Sequence, residues 1–180
     1  QTSAFLIAFL CTFLLQNTHL NFVSVRAYRN AHEFLEEIGE KGLGRSSIAV
    51  TGSISAVSEC INTEIKELFE LLQNLKLKIR EIKKLRTEMY KFVDLVYEEW
   101  IQELVRKGIY NFNGDLADAQ YDPFKKIKIT ESKTVVEFQY KLHREKILRR
   151  RRRFWWDIGK IGVTAIIGGF IGSFFRMLLP

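Results

Sequence analysis

INTEIKELFELLQNLKLKIREIKKLRTEMYKFVDLVYEEW, residues 61–100, decides how this chain is read. Ile61, Ile65, Leu68, Leu72, Leu75, Ile79, Ile82, Arg86, Met89, Val93, Val96 and Trp100 follow one another at alternating steps of four and three. Eleven of these twelve are apolar, and Arg86 is the exception. That 3.5-residue repeat is the seam of a coiled coil, so the spacing predicts one heptad helix over 60–107, stopped by Gly108. A helix of about 50 residues spans about 75 Å, too long to bury in a compact domain of this size. It must therefore pair with another helix of the chain or with a second copy. Arg86 inside the seam needs a carboxylate or a route to solvent, because an unpaired guanidinium there is costly.

Working outward, 108–130 reads as a loop from its Asn-Gly and Asp-Pro pairs and scattered polar residues. Residues 125–142 suit either a strand hairpin or a helix, and helix is favoured from about Ser132. It would run through the arginines at 131–153 as a second, antiparallel stalk arm. On the other side, 26–59 reads as helix broken at Gly42-Leu43-Gly44. Ser46–Ser58, rich in small and β-branched residues, is read as helix in preference to paired strands.

Both ends are apolar. Residues 1–25 hold a run, Ala4–Val25, with no Asp, Glu, Lys or Arg, and Arg26 and Arg29 follow it. At ~1.5 Å per residue this is long enough for a hydrocarbon core of ~30 Å. A cleaved secretory signal or a buried helix would share the composition. Residues 154–180 begin with Phe154, Trp155 and Trp156 and continue almost without charge. Ala165, Gly169 and Ser173, with Gly168 and Gly172, recur four apart, the small-residue pattern that lets helices pack closely in lipid. Ala8, Thr12, Gln16 and His19 share one helix face and would line a pore if several copies assembled.

The net charge of +7 has one local source. Lys141–Arg153 holds eight basic residues and one acid, which is +7, so the remaining 167 residues are neutral in sum. Arg149, Arg150, Arg151, Arg152 and Arg153 run directly into the aromatics. Nucleic acid, an acidic protein and anionic lipid headgroups would all accept such a run. Aromatics that stack on bases are interleaved with the charges, whereas here they lie to one side. The order of charge, aromatic belt and apolar helix matches a membrane boundary, with Arg26 and Arg29 marking the same side at the other end.

Little catalytic chemistry is visible. The sequence has no CxxC, no HExxH and no phosphate-cradling glycine loop, and no metal or cofactor is expected. RAYRNAH, 26–32, places five residues between Arg26 and His32, a spacing that resembles the Arg-x(4–6)-His motif of HEPN-family ribonucleases. The resemblance implies an all-helical RNA-associated membrane effector in which Arg26 stabilises a phosphorane and His32 shuttles a proton. It covers seven residues of 180, and Ala27 stands where that family prefers a polar residue.

The expectation is therefore an all-α, non-enzymatic integral membrane protein: two embedded helices flanking a long coiled-coil-like stalk, or antiparallel stalk hairpin, on the cytoplasm-like side. It would act as an oligomeric pore or scaffold through the seam residues Ile65–Val96, or as an accessory subunit of a larger membrane complex. Its expected partners are anionic lipid and further copies or complex subunits, with nucleic acid disfavoured.

Overall fold

The structure, a computed structural model, describes residues 19–73, 75, 77–111 and 116–178, with only the backbone at 19–21 and 166–178. Every regular element is helical: α1 (His19–Glu40), α2 (Ser47–Leu72), α3 (Ile79–Arg106) and α4 (Ala117–Leu178). The chain divides into two units, Gln1–His143 and Arg144–Pro180, and α4 contributes to both.

Within the first unit the helices form an up-down-up-down bundle. α1 and α2 are antiparallel, since Arg26 near the start of α1 meets Glu64 near the end of α2, while Gly52 near the start of α2 meets Phe34. α2 and α3 are antiparallel through Ser53 and Trp100. α3 and α4 are antiparallel as well: Tyr97 meets Ser132, Asp94 meets Lys133, and Tyr90 meets Glu137.

The first difference from the sequence reading lies in the seam. The helix expected over 60–107 is two helices, because the chain turns between Leu72 and Ile79. Leu75 N–H donates to Leu72 O at 3.1 Å, tightening the end of α2, and Glu81 Oε2 accepts from Lys78 N–H at 2.7 Å, closing the start of α3. No Gly or Pro marks this turn, so the heptad phase passes through it unbroken. Ile61, Ile65, Leu68 and Leu72 are buried on α2, and Ile82, Met89, Val93, Val96 and Trp100 on α3. Leu75 and Ile79, at the turn, are half-buried. The seam expected to join copies is thus the inner face of one folded hairpin, and Ile65–Val96 is not a free self-association surface.

Arg86 resolves as the sequence required. Its Nη1 lies 3.3 Å from Glu137 Oε2, and its guanidinium rests 4.8 Å from the Tyr140 ring centroid. Tyr90 Oη donates to the same carboxylate at 3.0 Å.

The other boundaries also move. α1 ends at Glu40 in a Schellman motif: Gly42, at φ 72°, donates to Gly39 O, and Leu43 donates to Ile38 O. Gly108, at φ 66°, closes α3 the same way, with Gly108 bonded to Val105 O and Ile109 to Leu104 O. Residues 46–58 belong to α2, which Ser46 caps by accepting from Ala49 N–H at 3.2 Å. The segment 26–59 therefore contains most of α1 and the start of α2. The loop expected over 108–130 is helical from Ala117, with Pro123 in the second turn of α4, where it removes one backbone bond and its ring crowds the carbonyl of Ala119. Residues 125–142 are helix, and the expected break between 131–153 and 154–180 is absent, because α4 runs through both.

The membrane expectation is corrected. Among the described residues no helix is long and apolar enough to cross a membrane. α1 carries Arg26, Arg29, Glu33, Glu36 and Glu37 within its length, and the described side chains of α4 beyond Asp157 cover only Ile158–Ala165, about 12 Å of helix with Lys160 in it. The two-span topology, the integral pore or scaffold, the membrane-complex subunit, the membrane effector and the integral localisation are not retained. Residues 4–18 of the expected first span lie outside the described residues.

At Gly52 a side chain of α1 lies directly against the α2 backbone, and a Cβ there would fall on the Phe34 ring. Gly52→Ala should destabilise the bundle by about 1–3 kcal/mol, the usual cost of overpacking. Phe34→Leu added to it should restore part of the loss, as read from urea midpoints at unchanged slope. For the α3–α4 contact, a double-mutant cycle of Arg86→Met and Glu137→Gln should give a coupling of about 0.5–1 kcal/mol, small because both side chains are nearly a third exposed.

Candidate functional site

Polar and charged side chains gather at several places, two of which bear on function. The first is a cleft of about 350 Å³ between α1 and α3, lined by Tyr28, His32, Glu99, Trp100, Gln102, Glu103 and Arg106. Its floor is the Trp100 indole, which is 1% exposed and donates from Nε1 to Ser53 Oγ at 3.3 Å. Tyr28 stacks on that indole at 5.7 Å and donates from Oη to Glu99 Oε2 at 2.6 Å. Burial, and then the bond and charge of Glu99, push the Tyr28 phenol well above its ordinary pKa, so it stays protonated.

His32 meets Trp100 edge-on at 5.1 Å, and its Nδ1 lies 3.2 Å from Lys107 Nζ. An ammonium can only donate, so Nδ1 must be the unprotonated, accepting nitrogen. Burial first, and Lys107 second, hold the His32 pKa below its ordinary value. Glu103 lies beside Arg106 and 3.8 Å from Lys107. The charged groups of this cleft therefore satisfy one another.

This geometry separates the two residues of the HEPN-like spacing. Arg26 pairs with the buried carboxylate of Glu64 on α2 and lies over the Phe22 ring, whereas His32 faces Trp100 and Lys107 on α3. Six positions turn a helix by about 600°, which leaves two side chains on different flanks. Of Arg26 and Arg29, both expected at a headgroup surface, Arg26 is engaged across the bundle by Glu64, whereas Arg29 is exposed and lies 3.8 Å from the equally exposed Glu33 on its own helix.

The second place is the start of the unit Arg144–Pro180. Helical backbone continues from Arg149 to Ala165 with every side chain exposed. Arg149 reaches back to Glu145 at 3.1 Å, while Arg150, Arg151, Arg152 and Arg153 have no ion pair among the described residues. Phe154 and Trp155 meet edge-on at 6.2 Å, and Lys160 Nζ lies 5.8 Å from the Trp156 ring. Phe154, Trp155 and Trp156 are each at least 60% exposed.

At 100° per residue, Asp157, Lys160 and Thr164 share a row about 60° wide. Phe154, Trp155, Trp156, Ile158, Ile161, Val163 and Ala165, with two glycines, fill the remaining arc of about 220°. The sequence reading found the charge and the aromatics but not this sorting of faces, which emerges once the segment is known to be continuous helix.

Of the remaining expected positions, Ala165 is exposed. Gly168, Gly169, Gly172 and Ser173 lie in the stretch of α4 where only backbone is described, and His19 is the first residue of α1. Ala8, Thr12 and Gln16 lie outside the described residues. Comparison with protein-family models, with curated proteins and with solved structures finds no match.

The cleft makes a prediction about acid. The Lys107–His32 bond exists only with neutral imidazole, so the folded chain binds that proton less tightly than the unfolded chain. The contact contributes its full stability above the ordinary histidine value of about 6.5, and that contribution is lost as pH falls through the lowered folded value. An NMR titration should place the His32 midpoint below 6.5, and His32→Gln should flatten the acid limb of the unfolding midpoint between these two values.

Proposed function

We propose that this protein works by binding and not by catalysis: the four-helix unit is a base, and the segment Arg149–Ala165 is its contact site for an extended anionic surface. The observation that supports this most directly is the run of four exposed arginines, Arg150–Arg153, with no carboxylate partner among the described residues. Several other cations meet a carboxylate, Arg26 with Glu64, Arg86 with Glu137, Lys133 with Asp94 and Lys125 with Asp122, while Arg80, Lys83 and Lys84, which also lack an ion pair among the described residues, do not form an unbroken run of four. A guanidinium cluster left over on an exposed helix concentrates positive potential and attracts anions over the reach of a Debye length, about 8–10 Å at physiological salt.

The non-catalytic reading draws on the cleft between α1 and α3. Its Tyr28 phenol is held protonated by burial and by the Glu99 carboxylate, and its imidazole is occupied by an ammonium. Neither group is poised to exchange a proton with a substrate near neutral pH.

Retention on a sulfated-polysaccharide matrix tests the reading. The parent protein should be held at low salt and released as salt rises. Arg150→Ser, Arg151→Ser, Arg152→Ser and Arg153→Ser combined, which lower the net charge from +7 to +3, should elute near the void. Lys66→Ser, Lys83→Ser, Lys84→Ser and Lys126→Ser combined remove the same charge from the other unit and should leave most of the retention intact. Equal loss in the two quadruple variants would reduce the site to net charge alone and defeat the proposal.

A further inference from the structure

The anionic surface has a definite chemistry. We infer that it is the headgroup layer of an anionic lipid bilayer, and that residues 154–165 lie in the plane of that layer with the Asp157–Lys160–Thr164 row facing water. This rests on the binding role of Arg149–Ala165 proposed above and adds the partner and the orientation.

Charge alone would suit RNA as well as lipid, so the discriminating feature is what adjoins the charge. Immediately past Arg153 the exposed surface becomes apolar: Ile158 is 44% exposed, Val163 57% and Ile161 70%, following three exposed aromatics. Exposed large apolar side chains occur singly on most proteins, but this many on three consecutive helical turns mark a surface that meets something apolar. RNA offers base faces for stacking, which suits Phe and Trp, but has no use for Ile158, Ile161 and Val163 around them. A lipid headgroup layer supplies both halves: phosphates for the guanidinium groups, and acyl-chain boundary for the aromatic and aliphatic arc.

The narrow polar row sets the orientation. Asp157, Lys160 and Thr164 point about 180° from the middle of the apolar arc, where Trp155 and Ile158 lie. A helix lying in the interface keeps one such row in water while the opposite side sinks by about 5–10 Å. Trp156 lies at the edge of the arc, at a depth where an amphipathic indole is most stable. The arginines encircle the helix just before this stretch, and their long stems let those on the lipid side turn back toward phosphate.

Flotation of the full chain with phosphatidylcholine vesicles, with and without about 30% phosphatidylserine, tests the inference. Binding should require the anionic lipid and weaken with salt. At roughly 1 kcal/mol per arginine, each Arg→Ser change in Arg150–Arg153 should lower partitioning about fivefold, and all four together at least about a hundredfold. Trp155→Ala with Trp156→Ala should lower it by about tenfold or more, and the tryptophan emission of the parent chain should shift to shorter wavelength on binding.

Orientation is read from two single charges. Ile158→Asp should abolish binding, whereas Thr164→Asp, on the watery row, should leave it within about twofold. Equal effects of these two substitutions would overturn the in-plane placement. Retention on the sulfated matrix without flotation on anionic vesicles, or tighter binding to single-stranded RNA than to vesicles, would overturn the lipid partner while the anionic-surface reading stands. Loss of both retention and flotation in the parent chain would remove both.

Discussion

Trp100 sets the terms for the rest of the bundle. Its indole is large, 1% exposed, and carries an N–H that cannot be buried without an acceptor. Ser53 Oγ supplies one at 3.3 Å, and a serine can stand that close only because α2 is narrow there: Ala49, Gly52 and Ser53 keep its surface low. The same narrowness admits Phe34 of α1 over Gly52. Tyr28 then stacks on the face of the indole and His32 meets it edge-on. Three helices thus fix their spacing around one ring. Tyr97, one turn earlier on α3, does the same for the fourth: its hydroxyl donates to Lys128 O at 3.3 Å and lies 3.1 Å from Ser132 Oγ, seating α4.

Seen from these contacts, the parts of the fold legible in sequence are those with a local physical cause. The heptad stripe identified residues that bury together, and they do. Gly42 and Gly108 stop helices because each holds a positive φ that closes a Schellman turn. Arg86 stood out as a seam charge needing a carboxylate, and Glu137, 51 residues away, is that carboxylate. What the periodicity could not contain is the turn between Leu72 and Ile79. A 3.5-residue stripe is satisfied equally by one long helix facing another copy and by two helices facing each other. Without Gly or Pro to force a break, the choice falls to tertiary burial, which covers Leu72, Leu77 and Ile82 around the turn.

The start of α4 was hidden for a related reason. Asp122-Pro123 and the polar residues before it have loop propensity, and Pro123 in the second turn removes one backbone bond and crowds the carbonyl of Ala119, a cost that tertiary contacts must offset. Tyr121, 1% exposed and 5.5 Å from the Tyr110 ring, ties that turn to the end of α3. Burial pushes the Tyr110 phenol up to about 12, so this aromatic pair stays uncharged across the physiological range. Propensity was outweighed by a contact between residues eleven apart that no local window registers.

The segment Arg149–Ala165 shows the reverse relation between sequence and structure. Its composition marks a boundary between charge and apolar surface, and a run of apolar residues next to arginines has the pattern of the entry to a span. Helical geometry adds that the first turns past the boundary are sorted, with Asp157, Lys160 and Thr164 gathered on one row. A helix surrounded by lipid gains nothing from placing its polar groups on a single row. A helix with water on one side gains from each of them, because every polar group kept in water avoids a desolvation cost of at least ~1–3 kcal/mol. The rest of the chain is neutral in sum, so the net positive charge of the protein resides in Lys141–Arg153, next to this row.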